Sequence, residues 1–191
     1  MSHNLSKYYK KDKKIFVVSD VWFKRPIGDF SSMTNDEYNN TIVDQWNKNV
    51  GHDDIVYVLG GFGIGYCYDI VLKLNGEIHF LNSVFSPSDD MFRCELKSCV
   101  ENSVDVNLKK RIFFERDQIL SIPEIDCILS YFPLCDWSGK NTNTFCFHGY
   151  TDKHNLSENN ISCKIELWNN SPVSIGEIKN NLHKIERLLN K

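Results

Sequence analysis

Five short apolar runs divide the chain: IFVVSD at 15–20, DIVYVLG at 54–60, EIHFL at 77–81, DCILS at 126–130 and TFCFH at 144–148. Each is too short for an independent helix and too evenly apolar for a strand with one wet face. Each therefore reads as a strand buried on both sides. Helical periodicity separates them. Thr34-Asn-Asp-Glu37 is a capping box, and Tyr38, Ile42, Val43 and Trp46 follow it at helical spacing, up to a stop at Val50-Gly51. Residues 68–74 read as a short helix ended by Asn75-Gly76. From Ser174 onward, Ile178, Leu182, Ile185 and Leu189 form one apolar stripe and predict a final helix. Buried strands interleaved with helices predict an α/β layered fold. Residues 83–107 are polar and mixed and read as loops with a short helix. Segments 111–115 and 118–120 read as strand fragments, and the alternating ISCKIELW at 161–168 as an edge strand.

The 191 residues fit one domain, a polar tail over 1–14 followed by a single unit over 15–191. The amino terminus, MSHNLSKYYKKDKK, has no apolar core of the kind a signal peptide carries, and no run approaches the ~18 apolar residues of a membrane span. A net charge of −3 gives no bulk attraction to nucleic acid or to an anionic membrane. The seven cysteines are odd in number and irregularly spaced, and several lie inside apolar runs, which predicts buried reduced thiols and a cytoplasmic setting. Cys94 and Cys99 with His79 or His148 are poorly spaced for zinc. Lys109, Lys110, Arg111 and Arg116 read as a solvated basic face, and GGFGIG at 60–65 lacks the helix start and Lys of a phosphate loop. The chain has no alanine and is rich in Asn, a coding bias that weakens compositional argument.

Several segments, in order and at compatible spacing, resemble the calcineurin-like metallophosphoesterases, most nearly their small bacterial and phage branch. They are IFVVSD, the stretch FSSMTNDEYNNTIVDQWNKNVGHDDIVYVLGGF, LNGEIHFL, ILSYFPLCDW, FHGYTDKH and WNNSPVSIGEI. The resemblance implies a four-layer α/β/β/α sandwich, with a site at the carboxyl ends of its strands. In that family two divalent metals, roughly 3.5–4 Å apart, bind the phosphate and generate the hydroxide nucleophile. The family's ligand positions fall here on residues that cannot serve. The first motif keeps Asp20 and carries Trp22 in place of its His. The second reads Gly60-Gly61, without the bridging carboxylate at Gly61. The third places Val84 and Phe85 at its Asn and His. The fourth has Tyr131 for His, and the last has Tyr150 for one His and Asp152 for the other.

Losing two metals while keeping their carboxylates would leave unpaired charge in a low-dielectric cleft. Gly61 in place of Asp, and aromatic bulk at Trp22, Phe85, Tyr131 and Tyr150, would answer that difficulty by filling the space. The expectation is a pseudoenzyme without catalytic residues, metal or cofactor, acting through a protein partner. An alternative is a module that stacks a nucleotide or another small ligand in the aromatic-lined cleft, oriented by Asp20 or Asp152. A third is a hydrolase rebuilt around one metal on Asp20 and Asp152, with His154 or His79 assisting. His148, one residue before the glycine of the last motif, reads as a hydrogen-bonded strand histidine facing away from the cleft.

Overall fold

The computed structural model describes residues 13–25, 33–83, 87–150 and 159–181, with side chains from 90 onward in the third stretch. Nine strands form two sheets among the described residues. The first has the order β4-β3-β2-β1-β9, made by Ile112–Phe114, Glu77–Phe80, Ile55–Val58, Ile15–Val18 and Val173–Ser174. Strands β1 to β4 run parallel and β9 closes the edge antiparallel. The second has the order β5-β6-β7-β8, made by Ile119–Ile122, Cys127–Ser130, Phe145–His148 and Asn160–Ser162. Here β5 is antiparallel to β6 and the rest are parallel.

Period-two alternation builds two cores from one sheet. Phe16 and Val18 of β1 face the helices, with Val56, Val58, Ile78 and Phe80. Ile15 and Val17 face the second sheet, with Ile55, Tyr57, Leu129, Phe145, Phe147 and Ile161. Four helices supply the first core: α1 (Asn35–Asn49), α2 (Tyr68–Val71), α3 (Pro87–Asn102) and α4 (Val106–Arg111). They contribute Ile42 and Trp46, Ile70 and Val71, Phe92, Leu96 and Val100, and Leu108. A further helical stretch, 175–181, joins the inter-sheet core through Ile175 and Ile178. The molecule is thus a mixed α/β protein of two mixed sheets with helices on the first. A helical layer over the outer face of the second sheet is not among the described residues. No described helix is long and apolar enough to cross a membrane.

The α1 capping box forms as the sequence predicts: the Glu37 amide donates to Thr34 Oγ1 and the Thr34 amide to Glu37 Oε2. Other expectations need correction. The polar stretch 83–107 holds a 16-residue helix, α3, instead of loops with a short one. The edge strand expected over 161–168 stops at Ser162. The chain then turns through a 3-10 segment, Ile165–Trp168, held by Trp168 Nε1 donating to Ser162 O at 2.7 Å and by Asn169 in the left-handed region. Arg111 is not on a solvated face. Half-buried, it donates to Val71 O, Leu74 O and Gly76 O at 3.0, 2.9 and 3.3 Å, satisfying carbonyls at the end of α2. Of the final stripe, Leu182, Ile185 and Leu189 lie outside the described residues.

Candidate functional site

The parallel strands of both sheets end together, and two segments run on side by side beyond β1 and β2. The Asp20 amide donates to Gly60 O at 3.0 Å, that of Trp22 to Gly61 O at 2.8 Å and that of Phe23 to Phe62 O at 2.9 Å. The β1 extension follows an unusual path: Asp20, Trp22 and Lys24 all have φ between 52 and 58°. None is glycine, and left-handed backbone is costly for a residue as bulky as Trp. Backbone bonds on one side and Tyr38 OH donating to Val21 O at 2.9 Å on the other hold the segment in that shape.

Asp20 is 5% exposed, and Tyr131, at the end of β6, is 6% exposed. Tyr131 OH donates to Asp20 Oδ1 at 2.9 Å, a buried hydrogen bond from the second sheet to the first. The Tyr131 backbone carbonyl accepts from the amides of Gly149 and Tyr150 at 2.8 and 2.9 Å. Three glycines make room for this arrangement. A Cβ at Gly60 would stand 2.6 Å from Tyr131 Cδ2, and one at Gly149 2.8 Å from the same atom. At Gly61, where φ is +62°, a Cβ would overlap Asp20 Oδ1 and stand 3.1 Å from Trp22 Cε2.

The sequence thus brings Asp20, Trp22, Gly61 and Tyr131 together. Tyr150 stands at the rim, 60% exposed, its ring 5.9 Å from that of Tyr131 and 5.1 Å from that of Phe132, itself 43% exposed. Trp22 is half-buried. So Tyr131 fills interior space, while Tyr150 presents an aromatic surface and does not. Val84, Phe85, Asp152 and His154 lie outside the described residues.

The two-metal arrangement that the sequence resemblance implies does not fit this geometry. A bridging carboxylate at 61 would need the space that Asp20 and Trp22 occupy, and Asp20 already accepts from a phenol. The cavity beside Gly60 and Gly61, lined also by Phe62, Ser83 and Arg93, measures about 20 Å³. That is room for about one water. Among the described residues no group of three or more His, Cys, Asp or Glu side chains is arranged to hold a metal ion.

The remaining candidates are accounted for in other ways. His79 is buried on the inter-sheet face of β3, with its ring between Tyr57 and Phe113 and its nitrogens against Glu77 and Glu115. Cys94 and Cys99 lie on α3, which packs on the opposite face of that sheet, so no zinc site forms with His79. His148 corrects the expectation of a hydrogen-bonded strand histidine. It is fully buried on β7, facing away from the inter-sheet core, and neither ring nitrogen has a partner among the described residues. Burial pushes its pKa down to about 4, so it is neutral at pH 7. Burial likewise pushes the thiols of Cys67 and Cys146 up to about 11 and that of Cys127 to about 12, leaving them protonated and unreactive. The sequence read Gly60 and Gly149 only as motif glycines and missed that both make room for the Tyr131 ring. Their signal was the glycine directly before two of the altered ligand positions, Gly61 and Tyr150.

No family model and no curated protein matches this chain. A solved structure does: the crystal structure of the protein of unknown function AQ665 from Aquifex aeolicus. It is 15% identical with a TM-score of 0.54, over 88% of this chain and 99% of that one. At such identity the likeness carries the fold alone.

Proposed function

We propose that this chain is a metal-free relative of the calcineurin-like metallophosphoesterases that works by binding another protein and catalyses no reaction. The reading extends the two described sheets to the α/β/β/α sandwich of that family and places the protein in the cytoplasm. Its main support is the close approach at Gly61, where the Asp20 carboxylate lies against the backbone that would have to carry the second metal's ligand. Tyr131 adds to this by supplying a proton donor to Asp20 where the family has a metal-binding imidazole. A hydrogen bond and an aromatic ring then do the structural work that two cations would otherwise do.

Phe132 and Tyr150 support the binding half of the proposal. Exposed aromatic side chains that pack edge to face are the kind of group that dominates interfaces. They also support a second reading, in which the rim stacks a planar small ligand such as a nucleobase.

The test is hydrolysis. Purified protein with Mn²⁺ and an activated phosphodiester should turn over no faster than buffer with Mn²⁺. Hydrolysis that rises with protein and metal, and is lost in Asp20→Asn, would overturn the proposal in favour of a rebuilt site.

A further inference from the structure

His79 is met by an acceptor on each side of its ring. Nδ1 is 2.7 Å from Glu115 Oε1, just past β4, and Nε2 is 3.0 Å from Glu77 Oε1, at the start of β3. A neutral imidazole carries one N–H and one lone pair, so it can satisfy only one of two carboxylates. With both carboxylates ionised, the geometry requires both ring protons. The far oxygen of Glu77 takes a further contact: Lys13 Nζ lies 3.1 Å from Oε2. The chain Glu115–His79–Glu77–Lys13 therefore ties the segment entering β1 to β3 and to the sheet's edge strand β4.

We propose that the second proton of His79 is what fixes Glu77 in place, and that Glu77 through Lys13 holds down the amino-terminal entry to β1. When one proton leaves, the shorter contact to Glu115 keeps the other on Nδ1. The Nε2 lone pair then faces Glu77 Oε1. The Glu77 carboxylate must swing away, and the Lys13 contact, set by its present orientation, loosens.

The other described groups around the ring agree with this charge state. Tyr57, whose ring is centred 4.9 Å away on β2, is held as the neutral phenol, because burial and the charges of Glu115 and Glu77 push its pKa up. Phe113 on β4 stacks on the imidazole at 4.7 Å and carries no charge. Arg93 of α3 stands near Glu115 and donates to its backbone carbonyl. Cys127 on β6, a neutral thiol, and Glu124 act on Tyr57 from the second sheet. Burial alone would lower the pKa of His79, but the two carboxylate hydrogen bonds reverse that and raise it above the ordinary 6.5. The attachment is thus complete below pH 6.5 and weakens as pH rises through the raised folded value.

The experiment is a pH series by NMR on the full chain, reading the His79 ring nitrogens together with the exchange protection of the Ile55 amide. That amide donates to Lys14 O at 3.0 Å and reports on the β1 entry. We expect both nitrogens protonated at pH 6.5, a midpoint shifted above 6.5, and a loss of Ile55 protection that tracks the midpoint after correction for intrinsic exchange. Lys13→Met removes the last link without touching the buried ring. It should leave the midpoint above 6.5 and make Ile55 protection low and independent of pH. A midpoint at or below 6.5 would overturn the proposal. So would protection that stays constant through the midpoint, or a loss of protection that persists unchanged in Lys13→Met.

Discussion

Tyr131 leaves the end of β6 and reaches Asp20 at the end of β1, so one phenol oxygen joins the two sheets. Removing that oxygen while keeping the ring isolates its contribution. Tyr131→Phe leaves a buried carboxylate short of a donor and should cost about 1–3 kcal/mol, read as a lower urea midpoint at unchanged slope. His148 makes the opposite case. Its folded pKa is about 4 against an ordinary 6.5, so between those values the unfolded chain binds the proton and the folded one does not. Its contribution is intact above pH 6.5 and declines as pH falls towards 4, by about 3 kcal/mol in total. In His148→Leu that part of the acid slope should vanish, leaving the slope from carboxylates. Because the ring nitrogens have no partner among the described residues, the variant should also be at least as stable as the parent at pH 7. A steeper acid slope in the variant would contradict this account of the residue.

Arginines rather than lysines finish several of the elements. Arg111 binds carbonyls at the end of α2, and Arg93 binds Phe80 O and Leu81 O at 3.0 and 2.8 Å and Glu115 O where β3 and β4 end. A planar fork with several donors suits a cluster of carbonyls, and a cation suits a helix carboxyl end. Arg111→Met should therefore cost about 1–3 kcal/mol, while the same change at exposed Lys110 stays within about 0.5 kcal/mol, compared by urea denaturation. At this scale the strands were legible, because runs such as IFVV and CILS are apolar on both faces. Helix α3 was not. Among its described side chains the buried stripe is Phe92, Leu96 and Val100, one apolar residue per turn among charged neighbours, and so narrow a stripe reads as polar chain. The strand expected to run through Trp168 failed because the Trp168 indole bonds back to Ser162 O, a tertiary contact with no local signal. Within the site, motif order brought Asp20, Gly61 and Tyr131 to one place. The left-handed turns at Trp22 and Lys24 had no such signal, since of the three residues with positive φ here only Asp20 is of a type that adopts that region readily.

Across the whole molecule, two sheets pack face to face, and the carboxyl ends of β1, β2 and β6 come together, where folds of this class place ligands. Here that meeting point holds a phenol–carboxylate hydrogen bond, three crowded glycines and a cavity of about 20 Å³. The exposed aromatics lie outside it, on the rim. On the proposed function this end of the molecule is complete without metal, and stability tests that directly. A metal that binds only the folded chain at a hundred times its dissociation constant raises stability by about 2.7 kcal/mol. For a domain of this size that is a rise in Tm of roughly 5–10 °C. The decisive measurement is the melting temperature of EDTA-treated protein with Mn²⁺ added from micromolar to millimolar. A metal-free site gives a shift of less than about 1 °C throughout, equal in the parent and in Asp20→Asn relative to its own baseline. A saturating rise of several degrees at micromolar Mn²⁺, abolished by Asp20→Asn, would contradict it.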